Sequence, residues 1–276
     1  KHILKIFIPA FKEAILKEEH LGKVGSKIYK AIQQKHIMFY SSDTEIQGLF
    51  DALGVSGRVS ETAEDEDYFS IINFSIGGTK SDQFIEENIL HDTFIDKNGN
   101  LTNELTIKRT HNWDDKIYFQ WKKILQQYGL NEMPDQLIDI LGRGRNEVYM
   151  KVYVPAGSIL MESNGSRIQT KYDKDLKKTY FFTKMELKAG ESKVLKIKYR
   201  LPFNLDFNEA AGIYKLIAEK QPGSRGSIFT KTVHTEKEIE NLDIFPAEAK
   251  LDSDNNVTYA TNLVYDRYFS GIWASR

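Results

Sequence analysis

The chain has 276 residues, 41% hydrophobic and 28% charged, and its 38 Lys and Arg against 39 Asp and Glu give a formal net charge of -1. This composition is typical of one or two folded domains, and the lack of a basic excess argues against a general nucleic-acid binder. No apolar run approaches the ~20 residues of a membrane span, and no signal-peptide pattern occurs. Cysteine is absent, which excludes disulfides and thiolate chemistry.

Residues 1–87 combine helical and strand patterns. Apolar residues recur at helical spacing over 3–16, 22–34 and 46–53. The apolar runs 36–40 and 68–76 predict two buried strands, and the acidic run 61–67 between them predicts a solvated loop. The helix–strand–helix–strand order predicts that residues 1–87 are the end of an α/β domain.

From residue 88 to residue 235 the pattern is that of short strands. Asn98-Gly99 between two alternating runs predicts a β-hairpin. Further strands are predicted at 148–154, 158–162, 178–187, 193–201, 212–220 and 227–234, and a helical insertion near 116–141. The regular spacing predicts an antiparallel, immunoglobulin-like β-sandwich. The fold class is therefore α+β: a partial α/β region followed by this sandwich.

Residues 236–276 are predicted to be a C-terminal extension that docks on the body. The segment 236–242 suggests a short helix, and 257–264 suggests an edge strand. The aromatic residues near the end are apolar enough to pack against the rest of the chain; they are Tyr265, Tyr268, Phe269 and Trp273.

The turn after the second predicted strand is a candidate anion or ligand site. It consists of Gly77, Gly78, Thr79, Lys80 and Ser81. Backbone N–H groups after a glycine pair, followed by a helix start at Ser81, could hold an anion. The spacing of a complete phosphate loop is missing, and a tight strand-to-helix turn explains the same residues.

Two polar stripes on predicted strands form a candidate polymer-binding face. One stripe is Tyr149, Lys151 and Tyr153, and the other is Lys196, Lys198 and Arg200. Tyrosine rings could stack on sugars, and basic side chains could meet an anionic polymer. A solvated sheet face explains the basic stripe as well, and the tyrosines could instead cover a neighbouring element.

No complete catalytic or metal motif is present. The run 252–256 matches the D-x-D-x-N start of a calcium-binding loop. Val257 and Leu263 occupy the positions where such a loop needs Gly and Glu. The six histidines form no zinc signature, and no nucleophile elbow occurs. We therefore predict no catalytic residues, no metal and no cofactor.

Short motifs in a fixed order carry a resemblance to a known family. They lie at 35–40 with 45–47, 73–82, 148–158, 199–202 and 220–223. Together these motifs resemble the C-terminal portion of the uncharacterised bacterial envelope-protein family called domain of unknown function 4012. The resemblance implies an extracytoplasmic protein whose parent carries an N-terminal membrane anchor and an upstream α/β region. It carries over no catalytic residues.

Two classes of function follow from these patterns. The first is a non-catalytic envelope module, structural or adhesive, that contacts cell-wall glycan or another envelope protein and no nucleic acid. The second is an accessory part of an enzyme that transfers lipid-linked glycans, whose active site lies upstream of these residues. In both, contact with a membrane is made only through the anchor implied by the resemblance.

Overall fold

The computed structural model describes residues 2–15, 18–132, 134–165, 167–207 and 211–275. The chain divides into two compact units. One holds Lys1–Val59 with Pro222–Ser224, and the other holds Ser60–Gln221 with Arg225–Arg276. None of the described helices has the length and apolar composition that a membrane crossing requires.

The first unit is helical. Its helices are α1 (His2–Ile15), α2 (Glu18–Gln33) and α3 (Thr44–Ala52). Asp43 caps α3, because its Oδ1 accepts the N–H groups of Glu45 and Ile46 at 2.9 and 3.1 Å. The strand predicted at 36–40 is wrong, since that segment is irregular. An apolar run becomes a strand only where a neighbouring strand takes up its backbone groups.

The second unit contains the strands. In chain order the described ones are β1 (Asp67–Ser75), β2 (Ile85–Ile95), β3 (Asn100–His111), β4 (Asn146–Pro155), β5 (Ile159–Ser163), β6 (Gln169–Asp173), β7 (Lys178–Leu187), β8 (Ser192–Asn204), β9 (Gly212–Glu219), β10 (Ile228–Thr235), β11 (Ile239–Phe245), β12 (Lys250–Leu251), β13 (Val257–Asn262) and β14 (Arg267–Ser275). Sheet one has the order β11-β14-β9-β1-β4-β7-β6, and sheet two has the order β12-β13-β10-β2-β3-β8-β5. Helices α4 (Asp115–Gln127) and α5 (Asp135–Ile138) form an insertion between β3 and β4, where the sequence predicts one.

The two sheets share one apolar core. Side chains from β1, β4, β7 and β9 of sheet one and from β2, β3, β8 and β10 of sheet two belong to the same buried cluster. The predicted alternation of β4 is confirmed, since Val148, Met150, Val152 and Val154 are all 0% exposed. The inward assignment of Leu195, Ile197, Tyr199 and Leu201 on β8 is confirmed in the same way. The chain thus combines helices with two large β-sheets packed as a sandwich.

The arrangement of the strands differs from the predicted pattern in three respects. The pairs β1–β9 and β2–β10 are parallel, whereas the other described pairs are antiparallel. Strand β1, expected within an α/β region ending at residue 87, lies inside sheet one. The helix expected at 236–242 is wrong: most of that segment belongs to β11, whose backbone groups pair with β14.

Candidate functional site

The outer side of sheet one carries a group of aromatic rings and lysines. Strand β4 lies between β1 and β7, and its odd-numbered residues point away from the core, as the pleat of a strand requires. Cross-strand pairing places Phe74 beside Tyr149, Phe182 beside Lys151, and Tyr180 beside Tyr153. We call this set the aromatic–lysine face; it consists of Phe74, Tyr149, Lys151, Tyr153, Lys171, Tyr180 and Phe182.

Lys151 lies at the centre of this face. Its Nζ is 4.6 Å from the ring centroid of Tyr180, 5.6 Å from that of Tyr153 and 5.7 Å from that of Phe74. It also donates a hydrogen bond to the Tyr153 hydroxyl at 3.2 Å. The electron-rich faces of several rings therefore hold one ammonium group in place.

Exposed rings flank this lysine. Tyr149 stacks on Phe182 with centroids 5.4 Å apart and planes 26° apart, and the Nζ of Lys171 lies 4.7 Å from the centroid of Phe182. Phe74 is 46% exposed and Tyr149 is 39% exposed. The face therefore offers apolar ring surface and positive charge side by side.

Tyr153 lies on the outer side of the sheet but is covered by its neighbours, which fits the alternative that this tyrosine covers a neighbouring element. It is 6% exposed, and its hydroxyl donates to Asp173 Oδ2 at 3.0 Å. Burial, together with the Asp173 carboxylate, raises the pKa of Tyr153. Its role in this geometry is to position Lys151, while Tyr149 remains open to solvent.

The positive charges of the face differ in their partners. Lys184, next to Tyr149 on β7, is paired with the Glu147 carboxylate. Within the described part of the chain, no carboxylate lies within 4.0 Å of the Nζ of Lys151 or Lys171. Neither lysine therefore forms a direct ion pair. The Asp173 carboxylate is nonetheless close to Lys151, because both bind the Tyr153 hydroxyl. The pKa of Asp173 is lowered, against its burial, by backbone and Tyr153 hydrogen bonds and by the Lys151 charge.

The second predicted stripe lies elsewhere. Lys196, Lys198 and Arg200 project from the outer side of β8, in sheet two. Lys198 Nζ binds Glu104 Oε1 at 2.7 Å beside a shallow cleft of about 360 Å³. The sandwich separates this stripe from Tyr149 and Lys151, so the six residues do not form one face.

The 77–81 turn packs tightly against the segment that precedes β4. A Cβ on Gly77 would lie 2.9 Å from the Arg145 carbonyl oxygen, which explains the glycine. The Lys80 N–H donates to the Ile140 carbonyl, and the Ser81 N–H donates to the Thr79 hydroxyl. The turn leads into a 3₁₀ turn of four residues rather than the expected helix.

An open cleft of about 490 Å³ lies beside this turn, and Gly77 and Thr79 contribute to its lining. Its guanidinium groups are already paired, Arg143 with Asp139 at 2.7 Å and Arg145 with Glu186 at 2.9 Å. The geometry favours the packing role of the turn over an anion site.

A buried polar network that the sequence reasoning missed crosses the core. Its members are Asp67, His91, Thr93, Asn103, Tyr199, Tyr214 and Lys231, all 0% exposed. Tyr214 and Asn103 donate to Asp67 Oδ2 at 2.6 and 2.9 Å. Thr93 Oγ1 contacts Lys231, Asn103 and Tyr214. The alternation of β3 could have indicated this network, because Asn103 lies on the same inward side of the strand as Leu105 and Ile107.

Burial sets the ionisation of this network. It lowers the pKa of Lys231 to about 7, an effect that the Asp67 charge opposes. It raises the pKa of Asp67, against the hydrogen bond from Tyr214. Burial and then the Lys231 charge hold the pKa of His91 well below its usual value. Since every member is enclosed, the network joins the two sheets rather than receiving a ligand.

The calcium-like run at 252–256 is satisfied internally, and so is the hairpin turn that begins at Asp96. Asp252 Oδ1 accepts the N–H groups of Asp254 and Asn256, and Asp96 Oδ1 accepts those of Asn98 and Asn100, all at 2.9 Å. Across the residues that the structure describes, no group of three or more His, Asp or Glu could hold a metal ion.

Comparisons with known proteins find partial likeness of fold. No family model and no curated protein matches this sequence. A nutrient binding protein from Legionella pneumophila is similar in structure, with a TM-score of 0.46 and 8% identity over 75% of this chain and 71% of that chain. An M1 zinc metallopeptidase from Deinococcus radiodurans has a TM-score of 0.31 and 11% identity over 69% of this chain and 42% of that chain. Yeast LTA4 hydrolase has a TM-score of 0.34 and 10% identity over 78% of this chain and 31% of that chain. With TM-scores below 0.5, these likenesses carry no function over to this chain.

Proposed function

We propose that this chain is a non-catalytic, extracytoplasmic module of a bacterial envelope protein, related to the family called domain of unknown function 4012. In this proposal the module binds cell-wall polymer through the aromatic–lysine face. The proposal includes an immunoglobulin-like, mainly antiparallel sandwich. The parallel pairs β1–β9 and β2–β10 are exceptions to that arrangement.

The observation that supports the proposal is the exposed ring surface around Lys151. Aromatic side chains left half-exposed on a sheet supply a rigid apolar platform at low conformational cost. Phe74 and Tyr149 are paired positions on adjacent strands, so both exposed rings lie on the same part of the sheet. Exposed apolar surface grouped in this way is typical of binding sites.

The alternative, an accessory part of a glycan-transferring enzyme, finds less support in the geometry. Its active site would lie upstream, and the candidate anion site at the 77–81 turn is what these residues could add to it. Packing against Arg145 explains the Gly77 of that turn, and the adjacent guanidinium groups have carboxylate partners.

A pull-down with purified bacterial cell wall tests the proposal. The double variant Phe74→Ala, Tyr149→Ala removes the exposed rings of sheet one. The matched control is Lys196→Glu with Arg200→Glu, on the opposite side of the sandwich. We expect the double variant to lose most of its wall binding and the control to bind like the parent. The proposal fails if the parent does not bind wall, or if the control loses binding and the double variant keeps it.

A further inference from the structure

We propose that the aromatic–lysine face selects an acidic polysaccharide, with sugar rings on Phe74 and Tyr149 and the acidic substituents against Lys151 and Lys171. This inference rests on the proposed function, and it adds the chemical class of the polymer.

The positive charge of the face lies over aromatic rings. The ammonium groups of Lys151 and Lys171 lie over aromatic rings at 4.6 and 4.7 Å. No carboxylate within the described ranges lies within 4.0 Å of either Nζ, whereas the neighbouring Lys184 has Glu147 as its partner. Ring faces attract a cation without neutralising its charge, so each ammonium group can still attract an anion. For Lys151 that anion would act in addition to Asp173, which shares the Tyr153 hydroxyl with it, whereas Lys171 lies over the Phe182 ring.

The exposed rings and the lysines of the face lie close together. The exposed rings of Phe74 and Tyr149 belong to paired positions of β1 and β4, and Lys151 lies two residues along β4 from Tyr149. Residues two apart on a strand are about 7 Å apart. A ring-bearing polymer with an acidic substituent on its sugars would thus meet apolar surface and positive charge within one short stretch. A polyanion without rings would use only the lysines.

The test compares three polymers of known chemistry. Polygalacturonate carries rings and carboxylates, its carboxyl-reduced form carries the same rings without charge, and inorganic polyphosphate carries charge without rings. Affinity is measured by calorimetry at low and at physiological salt. We expect the protein to bind polygalacturonate on the order of tenfold more tightly than either of the others, and this preference to weaken as salt rises.

Lys151→Met keeps the length and apolar stem of the side chain and removes its charge. We expect it to lose most of the preference for polygalacturonate over the reduced polymer, with the remainder supplied by Lys171. Lys171→Met provides a second test at an edge strand, where folding is less at risk, and we expect it to weaken the preference in the same direction. The matched control is Lys196→Met on sheet two, which should leave all three affinities unchanged.

Equal binding of the parent to polygalacturonate and to its reduced form would overturn the inference, and so would preferential binding of polyphosphate. An unchanged preference in both Lys151→Met and Lys171→Met would overturn it too. If wall binding depends on Phe74 and Tyr149 while polygalacturonate is ignored, the acidic class is wrong and the proposed function stands. If the parent does not bind wall at all, the proposed function itself fails.

Discussion

Replacing Val152 with Asp tests the packing of the sandwich most directly. Val152 is 0% exposed and lies between Ile71 on β1 and Phe181 on β7. A carboxyl group at this position would be out of contact with water, so it must take up a proton to avoid an unpaired buried charge. At pH 7, protonating a carboxyl of ordinary pKa costs about 4 kcal/mol, and the lost apolar burial adds about 2 kcal/mol.

A loss of about 6 kcal/mol is comparable to the whole stability of many domains, which is about 5–15 kcal/mol. We therefore expect Val152→Asp to be unfolded or nearly so in buffer. Urea unfolding followed by tryptophan fluorescence reports on this unit, because Trp113, Trp121 and Trp273 all belong to it. Lys196→Asp, outward on β8, is the matched control and should stay within about 0.5 kcal/mol of the parent. An unchanged urea midpoint for Val152→Asp would refute the inward assignment of β4.

Three further substitutions test local features. Both ring nitrogens of His234 face acceptors, Asp92 at 3.4 Å and Asn256 at 3.0 Å, and the hydrogen bond with Asp92 raises its pKa. This stabilisation is complete below about pH 6.5 and is lost as pH rises through the raised pKa of His234. In urea unfolding, His234→Gln should therefore be less stable than the parent at pH 5.5 and much closer to the parent at pH 9. Equal losses of stability at both pH values would contradict the assignment. Asp96→Ala removes the acceptor of three hydrogen bonds in the β2–β3 hairpin and should cost about 1–2 kcal/mol in the same assay. Gly99→Ala should cost more, since Gly99 has φ +75° and its added Cβ would lie 1.9 Å from the Leu205 carbonyl oxygen; a fully stable variant would show that the hairpin can move away.

Much of the sandwich could be predicted because its strands alternate in a regular way. On β4 and β8 an apolar residue at every second position gives both the strand and its buried side. The hairpin at Asn98-Gly99 followed from turn chemistry alone. These features depend on residues that are close in sequence.

The features that were missed depend on distant partners. The 36–40 run is as apolar as a strand, but none of the described strands pairs with it. Strand β11 is mixed in pattern, and β14, which pairs with it, begins more than twenty residues later. Tyr149 and Lys151 could be selected from sequence, whereas Tyr180 and Phe182 join them only through the register of β4 and β7. The same limit explains why the stripe at Lys196 was grouped with them, although it belongs to the other sheet.

The parallel pairs inside the two sheets have a consequence for the order of folding. Ser70 of β1 pairs with Glu219 of β9, and His91 of β2 pairs with Lys231 of β10. The two strands of each pair are far apart in sequence, so closing the loop between them costs entropy before the pair can form. Such pairing slows folding. While the chain emerges from the ribosome, β1 and β2 each have one open edge until the second half of the sandwich has been made. Open edges of this length recruit other chains, so an interrupted synthesis product would be prone to aggregate with its own copies.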